Sequence, residues 1–225
     1  MADRVVVVTG ATGKLGPTVA ARFAAAGDRL ALLARDRDAV EALVATLPGG
    51  AGRHAGIAAD LSSEGGATHA AAAVRRRLGV PQVLLHLVGG YAGGTSIEDA
   101  DETLWRDLFE LNFWSTFHTL RAFLPDIRTA EQGRIVTIST PLAGSPVASI
   151  GPYAASKGAV ETLTLTLAME LAGTTATANV ALVRTIGDAK PTHTRPEEIA
   201  AALVWLASPE AGAVSGQRIP VVGRA

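Results

Sequence analysis

Val5-Val6-Val7-Val8-Thr9-Gly10-Ala11-Thr12-Gly13-Lys14-Leu15-Gly16 is the stretch on which the reading of the fold turns. Four consecutive β-branched residues read as a strand buried on both faces, as in a parallel sheet. Glycines spaced G-x-x-G-x-x-G then lead into the apolar pattern of a helix over 17–26. A pyrophosphate held at a helix amino terminus needs backbone N–H groups aimed at it and no side chain in between. Gly10, Gly13 and Gly16 supply that. The same residues also suit an ordinary glycine-rich turn; the strand before it and the helix after it favour the phosphate reading.

Outward from this opening, 225 residues suffice for one α/β domain over 1–225 with a large core. Hydrophobic residues make up 48% and aromatic residues only 4%, so the core is built from Ala, Val, Leu and Ile. That composition suits helices packed closely on a parallel sheet. The net charge of −1, with Lys and Arg scattered, leaves no face for a polyanion, and nucleic acid is not an expected partner. With no cysteine, disulfides and thiolate chemistry are excluded and no metal centre is expected. No apolar run approaches the roughly 18 residues of a membrane span, and no signal-peptide layout precedes the first strand. A cytoplasmic protein without membrane contact is the expectation.

A second strand is expected over 29–34. In a dinucleotide fold the residue ending it faces the adenosine ribose, and an acidic side chain there favours the free 2′-OH of NAD. Ala34 holds the place, with Arg35 next. An arginine pairs a 2′-phosphate with two hydrogen bonds, which favours NADP(H). The alternative for Arg35 is a solvated side chain starting the next helix, and Asp36 keeps NAD(H) open.

A helix over 36–47 stops at Pro48-Gly49-Gly50, a strand follows over 54–59, and an Ala-rich helix runs over 62–78. Asp60, at a strand's carboxyl end, suits either the adenine amino group or a helix cap. A fourth strand over 81–88 runs into Gly89-Gly90-Tyr91-Ala92-Gly93-Gly94. So many glycines imply close backbone approach, to a ligand or to a neighbouring loop.

The pattern over 101–128 predicts one long helix, in which Asn112 sits among apolar neighbours and needs a partner. Ser139 and Thr140 close a fifth strand over 133–138. A helix from Tyr153 to about position 172 places Tyr153 and Lys157 on one face. A lysine cation beside a phenol lowers its pKa from about 10 toward neutrality, which suits acid–base work, although Tyr-x-x-x-Lys also recurs by chance. A sixth strand over 178–183, a helix over 196–207 and a last strand over 218–222 complete the pattern. The fold expected is Rossmann-type and doubly wound, a seven-stranded, mostly parallel sheet with helices on both faces.

In this order the motifs resemble the short-chain dehydrogenase/reductase family over essentially the whole chain. The resemblance rests on the glycine turn, Asp60, the Gly89 turn, Asn112, Ser139-Thr140, Tyr153, Lys157 and Ser215-Gly216-Gln217. It implies Tyr153 as proton donor or acceptor, and Lys157 as the residue that depresses its pKa and binds the nicotinamide ribose. It implies Thr140 as the hydroxyl orienting the substrate oxygen, and Asn112 as the holder of a water. Alternation along the strand turns Ser139 to the other face. The implied cofactor-binding set is Gly10, Thr12, Gly13, Lys14, Leu15, Gly16, Arg35, Asp60, Leu61 and Gly89, together with Tyr153 and Lys157. The implied activity is NADP(H)-dependent reduction of a carbonyl or quinonoid group on a small molecule.

The chain also departs from the family. Lys14 stands where members of this size usually place the middle glycine, and adds a cation near the phosphates. His86-Leu87-Val88-Gly89 replaces Asn-Asn-Ala-Gly, and Val183-Arg184 replaces a Pro-Gly turn. The covering segment over 185–196 is very short, which implies an open pocket, a flat or large substrate, or weakened catalysis. Gly89-Gly90-Tyr91-Ala92-Gly93-Gly94 and Ser149-Ile150-Gly151 further resemble the dihydropteridine reductases, although Ala34-Arg35 departs from their NADH-preferring members. These departures motivate a second reading, a cofactor-binding protein without redox turnover. Long apolar helices over 104–124 and 153–171 exceed what one sheet face buries, so a homodimer or homotetramer is expected.

Overall fold

The computed structural model describes residues 3–223. Seven strands form one sheet in the order β3-β2-β1-β4-β5-β6-β7, and every pairing is parallel, where a mostly parallel sheet was expected. The strands are β1 (Val5–Thr9), β2 (Arg29–Ala34), β3 (Ala55–Ala58), β4 (Val83–His86), β5 (Arg134–Ser139), β6 (Thr177–Val183) and β7 (Arg218–Val221). All five residues of β1 are buried, because helices cover both faces of the central strands. Burying a valine side chain contributes about 1.5–3 kcal/mol, so the run Val5–Val8 is a large part of what fixes the sheet.

Alternation along β1 divides the core. Val6 and Val8 pack with Val19 and Phe23 of α1 (Gly16–Ala25), Val40 of α2 (Arg37–Thr46) and the C-terminal helix's Ile199 and Leu203. Val5 and Val7 face the opposite layer, with Ala70 and Val74 of the Ala-rich fourth helix and Phe123, Ile127 and Leu167. After a four-residue helical turn, α3 (Gly50–Arg53), that the sequence did not signal, these are α4 (Glu64–Leu78), α5 (Glu102–Leu108), α6 (Ser115–Thr129), α7 (Gly151–Glu170) and α8 (Pro196–Leu206).

The long helix expected over 101–128 is not uniform. Between α5 and α6 the chain makes a π-helical turn, Phe109–Trp114, whose buried residue is Asn112. One extra residue in a turn leaves the apolar spacing on either side intact, so sequence periodicity does not report it.

Chain direction across the sheet reverses between β1 and β4, and a crevice opens beyond their carboxyl ends. Gly10 lies there in the left-handed region at φ +63°, where a Cβ would sit 3.1 Å from the Leu87 carbonyl carbon and the Val88 nitrogen. Gly16 answers a different demand: a Cβ would fall 2.1 Å from the Ala11 carbonyl oxygen, so only glycine lets α1 pack against the turn. Gly16→Ala forces backbone to move, and we expect a loss of about 1–3 kcal/mol of stability, read as a lower urea midpoint with the slope unchanged.

Candidate active site

A cleft of about 610 Å³ occupies this crevice. Of the expected cofactor-binding residues, Gly10, Thr12, Gly13, Lys14 and Leu15 line it from the first turn, Arg35, Asp60 and Leu61 from the ends of β2 and β3, and Gly89 from β4. Gly16 does not line it. Its amide donates to the Gly13 carbonyl at 3.2 Å.

Asp60 resolves the choice left open for it. Its Oδ1 accepts from the Ser62 amide at 3.0 Å and the Ser62 hydroxyl at 2.8 Å, while Ser63 caps α4 by accepting from the Gly66 amide. Asp60 is therefore a turn residue on the cleft wall and not a helix cap. The Ser62 hydroxyl and amide hold its carboxyl below the ordinary range, with Arg35 acting in the same direction. Asp36 caps α2, accepting from the Ala39 amide at 3.0 Å, and does not line the cleft.

Of the residues expected to be catalytic, and of Tyr153 and Lys157 as expected cofactor contacts, none lines the cleft itself; Lys157 and Asn112 lie directly behind its Gly89 wall. Thr140 is buried just beyond the end of β5, and its hydroxyl accepts from the Leu142 amide at 3.3 Å. Ser139 faces away, as strand alternation requires, and donates to Glu161 of α7 at 2.6 Å. Lys157 is 5% exposed, and its Nζ donates to the Ile138 carbonyl at 3.0 Å. A Cβ on Gly89 would lie 2.7 Å from that Nζ and 3.0 Å from Asn112 Oδ1, so a glycine is what keeps the cleft wall clear beside the ammonium.

The electrostatics differ from the expectation of a depressed phenol. Burial pushes the Tyr153 hydroxyl above its ordinary range, the Thr140 hydroxyl opposes this, and Tyr91 adds to it. The Lys157 ammonium is drawn to a backbone carbonyl, and burial lowers it to about 8 against the pull of Glu161.

Asn112 is tied into the structure through its whole side chain. Its Oδ1 accepts the Gly90 amide at 2.9 Å, and its Nδ2 donates to the Gly90 carbonyl at 3.2 Å and to Ser156 at 2.9 Å. The side chain thus fastens the glycine turn to α7. Its main-chain carbonyl takes the Thr116 hydroxyl at 2.6 Å.

Two features singled out in the sequence, the glycine turn with Tyr91 and the short segment after β6, take definite form in the structure. Tyr91, 65% exposed, stands edge-on to Tyr153 with ring centroids 4.9 Å apart. The short segment after β6 is folded on itself: the Gly187 amide donates to the Thr194 carbonyl at 3.0 Å and the Thr194 amide to the Thr185 carbonyl at 2.9 Å. The Thr194 hydroxyl ties it to β7 through the Val221 carbonyl, and Ile186 lines the cleft. Its bridge with Thr194 was invisible to residue pattern because the contacts are between backbone groups.

The model of the short chain dehydrogenase family matches residues 4–191. The chain belongs to that family. Over 245 aligned residues it is 31% identical to the 2,3-dihydroxy-2,3-dihydro-p-cumate dehydrogenase of Pseudomonas putida, covering 98% of this chain and 93% of that one. Among solved structures, an NADPH-bound short-chain oxidoreductase of Pseudomonas aeruginosa PAO1, described as having an atypical catalytic center, superposes with a TM-score of 0.89 at 24% identity. The match covers 98% of this chain and 97% of that one. The 3-ketoacyl-(acyl-carrier-protein) reductase of Brucella melitensis, complexed with NADH, gives 0.89 at 22% identity over 97% and 96%. The family member described here is an NAD(P)-dependent dehydrogenase/reductase acting on a small molecule. Among the described residues no helix is long and apolar enough to cross a membrane.

His86, in the family's asparagine position, pairs through Nδ1 with the Thr9 hydroxyl at 3.0 Å, while its buried Nε2 meets no partner among the described residues. Burial, reinforced by Lys157, lowers the ring from 6.5 to about 3. Below pH 6.5 the unfolded ring binds a proton that the folded ring refuses until about pH 3, so this residue makes stability fall as pH falls through that window. We expect the melting temperature to drop less across it in His86→Asn than in the parent, measured by circular dichroism.

Proposed function

We propose that the chain is an NADP(H)-dependent reductase of a carbonyl or quinonoid group with Tyr153 as general acid. The observation that carries the reading is the buried Lys157 ammonium directly behind Gly89 of the cleft wall, with Tyr153 one helical turn before it on α7 and Thr140 buried beyond the end of β5. The bound nicotinamide supplies a hydride. Tyr153 donates its phenolic proton to the oxygen that gains charge, and Thr140 orients that oxygen. The raised Tyr153 favours this direction, since a phenol protonated across neutral pH is an acid and not a base. Lys157 and the backbone at Gly89 would hold the ribose of the bound cofactor, and the first turn would hold its pyrophosphate.

Preference for NADP(H) is supported by Arg35 on the cleft wall at the end of β2, with Asp36 spent on its helix cap. Lys14 stands on the same wall. The exposed ring of Tyr91 beside Tyr153 favours a planar substrate. Assembly as a homodimer or homotetramer is supported by the row Phe113, Trp114, Phe117 and His118 on the π turn and α6, where Trp114 is 40% exposed.

Tyr153→Phe is expected to lower turnover by about 100- to 10,000-fold, the usual worth of general acid catalysis, with NADPH affinity nearly unchanged. Parental turnover in that variant sinks the role given to Tyr153. Arg35→Ala is expected to weaken NADPH binding by about 10- to 100-fold while leaving NADH binding unaltered, as read by nicotinamide fluorescence.

A further inference from the structure

Glu161 lies one turn beyond Lys157 on α7, with its side chain 5% exposed. Oε1 accepts the Ser139 hydroxyl at 2.6 Å, and Oε2 accepts Nε–H of Arg218 from β7 at 2.6 Å. Burying a carboxylate costs enough that an apolar residue serves stability as well or better, so the pair asks for another reason. Its neighbours supply one. Ser139 follows Ile138, whose carbonyl holds Lys157 Nζ at 3.0 Å. The Ser139 hydroxyl also reaches the Lys157 carbonyl at 3.4 Å.

We infer that Glu161, fixed by Ser139 and Arg218, is a positioning residue that keeps Lys157 in its charged form and holds the end of β5 in register with α7. This rests on the reading of Lys157 and Tyr153 given above.

Burial drives the Lys157 ammonium toward its neutral form, and Glu161 opposes that. The other titratable or charged groups around Lys157 do not replace it. Tyr153 of the same helix is kept protonated by burial, and His86 of β4 is kept neutral. Asp107 of α5, Glu110 of the π turn and Lys14 of the first turn line the adjoining cleft, open to solvent screening. Arg218 pairs with Glu161, so its charge offsets that of the carboxylate.

The two charges can be removed separately. Glu161→Gln keeps the volume and an oxygen for Ser139 but no charge, while Arg218→Met removes a side chain that is 51% exposed. The profile of kcat/KM against pH for a reducible carbonyl, and in parallel the pH dependence of NADPH binding by fluorescence, are compared in both variants. In Glu161→Gln the alkaline limb of both profiles is expected to move to lower pH by about one unit, with parental values below the limb. In Arg218→Met it is expected to move to higher pH. Loss of packing has no reason to produce responses set by the sign of the missing charge. The inference is overturned by an unmoved limb in Glu161→Gln, by an unmoved or lowered limb in Arg218→Met, or by a loss that is equal at every pH. If Glu161→Gln does not fold, the Arg218→Met profile decides: a limb moved to higher pH supports the inference, and an unmoved or lowered limb overturns it. Full activity in Lys157→Ala would instead remove the underlying reading, and is scored apart from the binding profiles of the other two variants.

Discussion

Lys157 carries an ammonium that is 5% exposed, and the elements at the carboxyl edge of the sheet are arranged to compensate it. A charge so placed survives only with acceptors and a counter-charge close by. The Ile138 carbonyl at the end of β5 gives the first, and Glu161, one helical turn along α7, the second. Gly89 has no side chain because one would collide with Nζ, and Asn112 reaches from the π turn to fasten the next residue, Gly90, in both directions. The distortion of the helix between α5 and α6 therefore belongs to the same arrangement, since it delivers Asn112 to the turn and to Ser156.

The cleft depends on equally close packing from the other side. β1 and β4 part at Gly10, which touches the Leu87 and Val88 backbone, and α1 is drawn in at Gly16 against the Ala11 carbonyl. Two glycines of one motif thus serve packing, one across strands and one between helix and turn. Only the middle of the turn, with Thr12, Gly13, Lys14 and Leu15, is left to face the cleft alongside Gly10. Opposite it, Arg35 and Asp60 mark the two strand ends.

Over the cleft, the segment after β6 is brief but anchored. Backbone bonds between Thr185, Gly187 and Thr194, and the tie from Thr194 to β7, give it a fixed course without helical structure. Near the mouth Ser149 adopts a left-handed φ of +65° and its carbonyl accepts from the Gly94 amide at 2.8 Å, which joins the glycine turn to the start of α7. A non-glycine residue in that region stores strain, and here it lies four residues before Tyr153.

The sequence by itself determined the parallel sheet, its seven strands and the cleft at the ends of β1 and β4. Uninterrupted apolar runs separated by glycine and proline report burial on two faces directly. It also determined which face of β5 carries Thr140 and which Ser139, because alternation is a local rule. It missed the π turn, whose extra residue hides within helical periodicity, and the α3 turn, whose glycines read as a stop. What only the tertiary structure decided is what each polar group meets: Thr9 with His86, Asn112 with Gly90, and Glu161 with Arg218, 57 residues apart. Those partners come from strand order and helix crossing, and the pKa of a buried group follows from its surroundings, so no spacing along the chain encodes the upward shift of Tyr153.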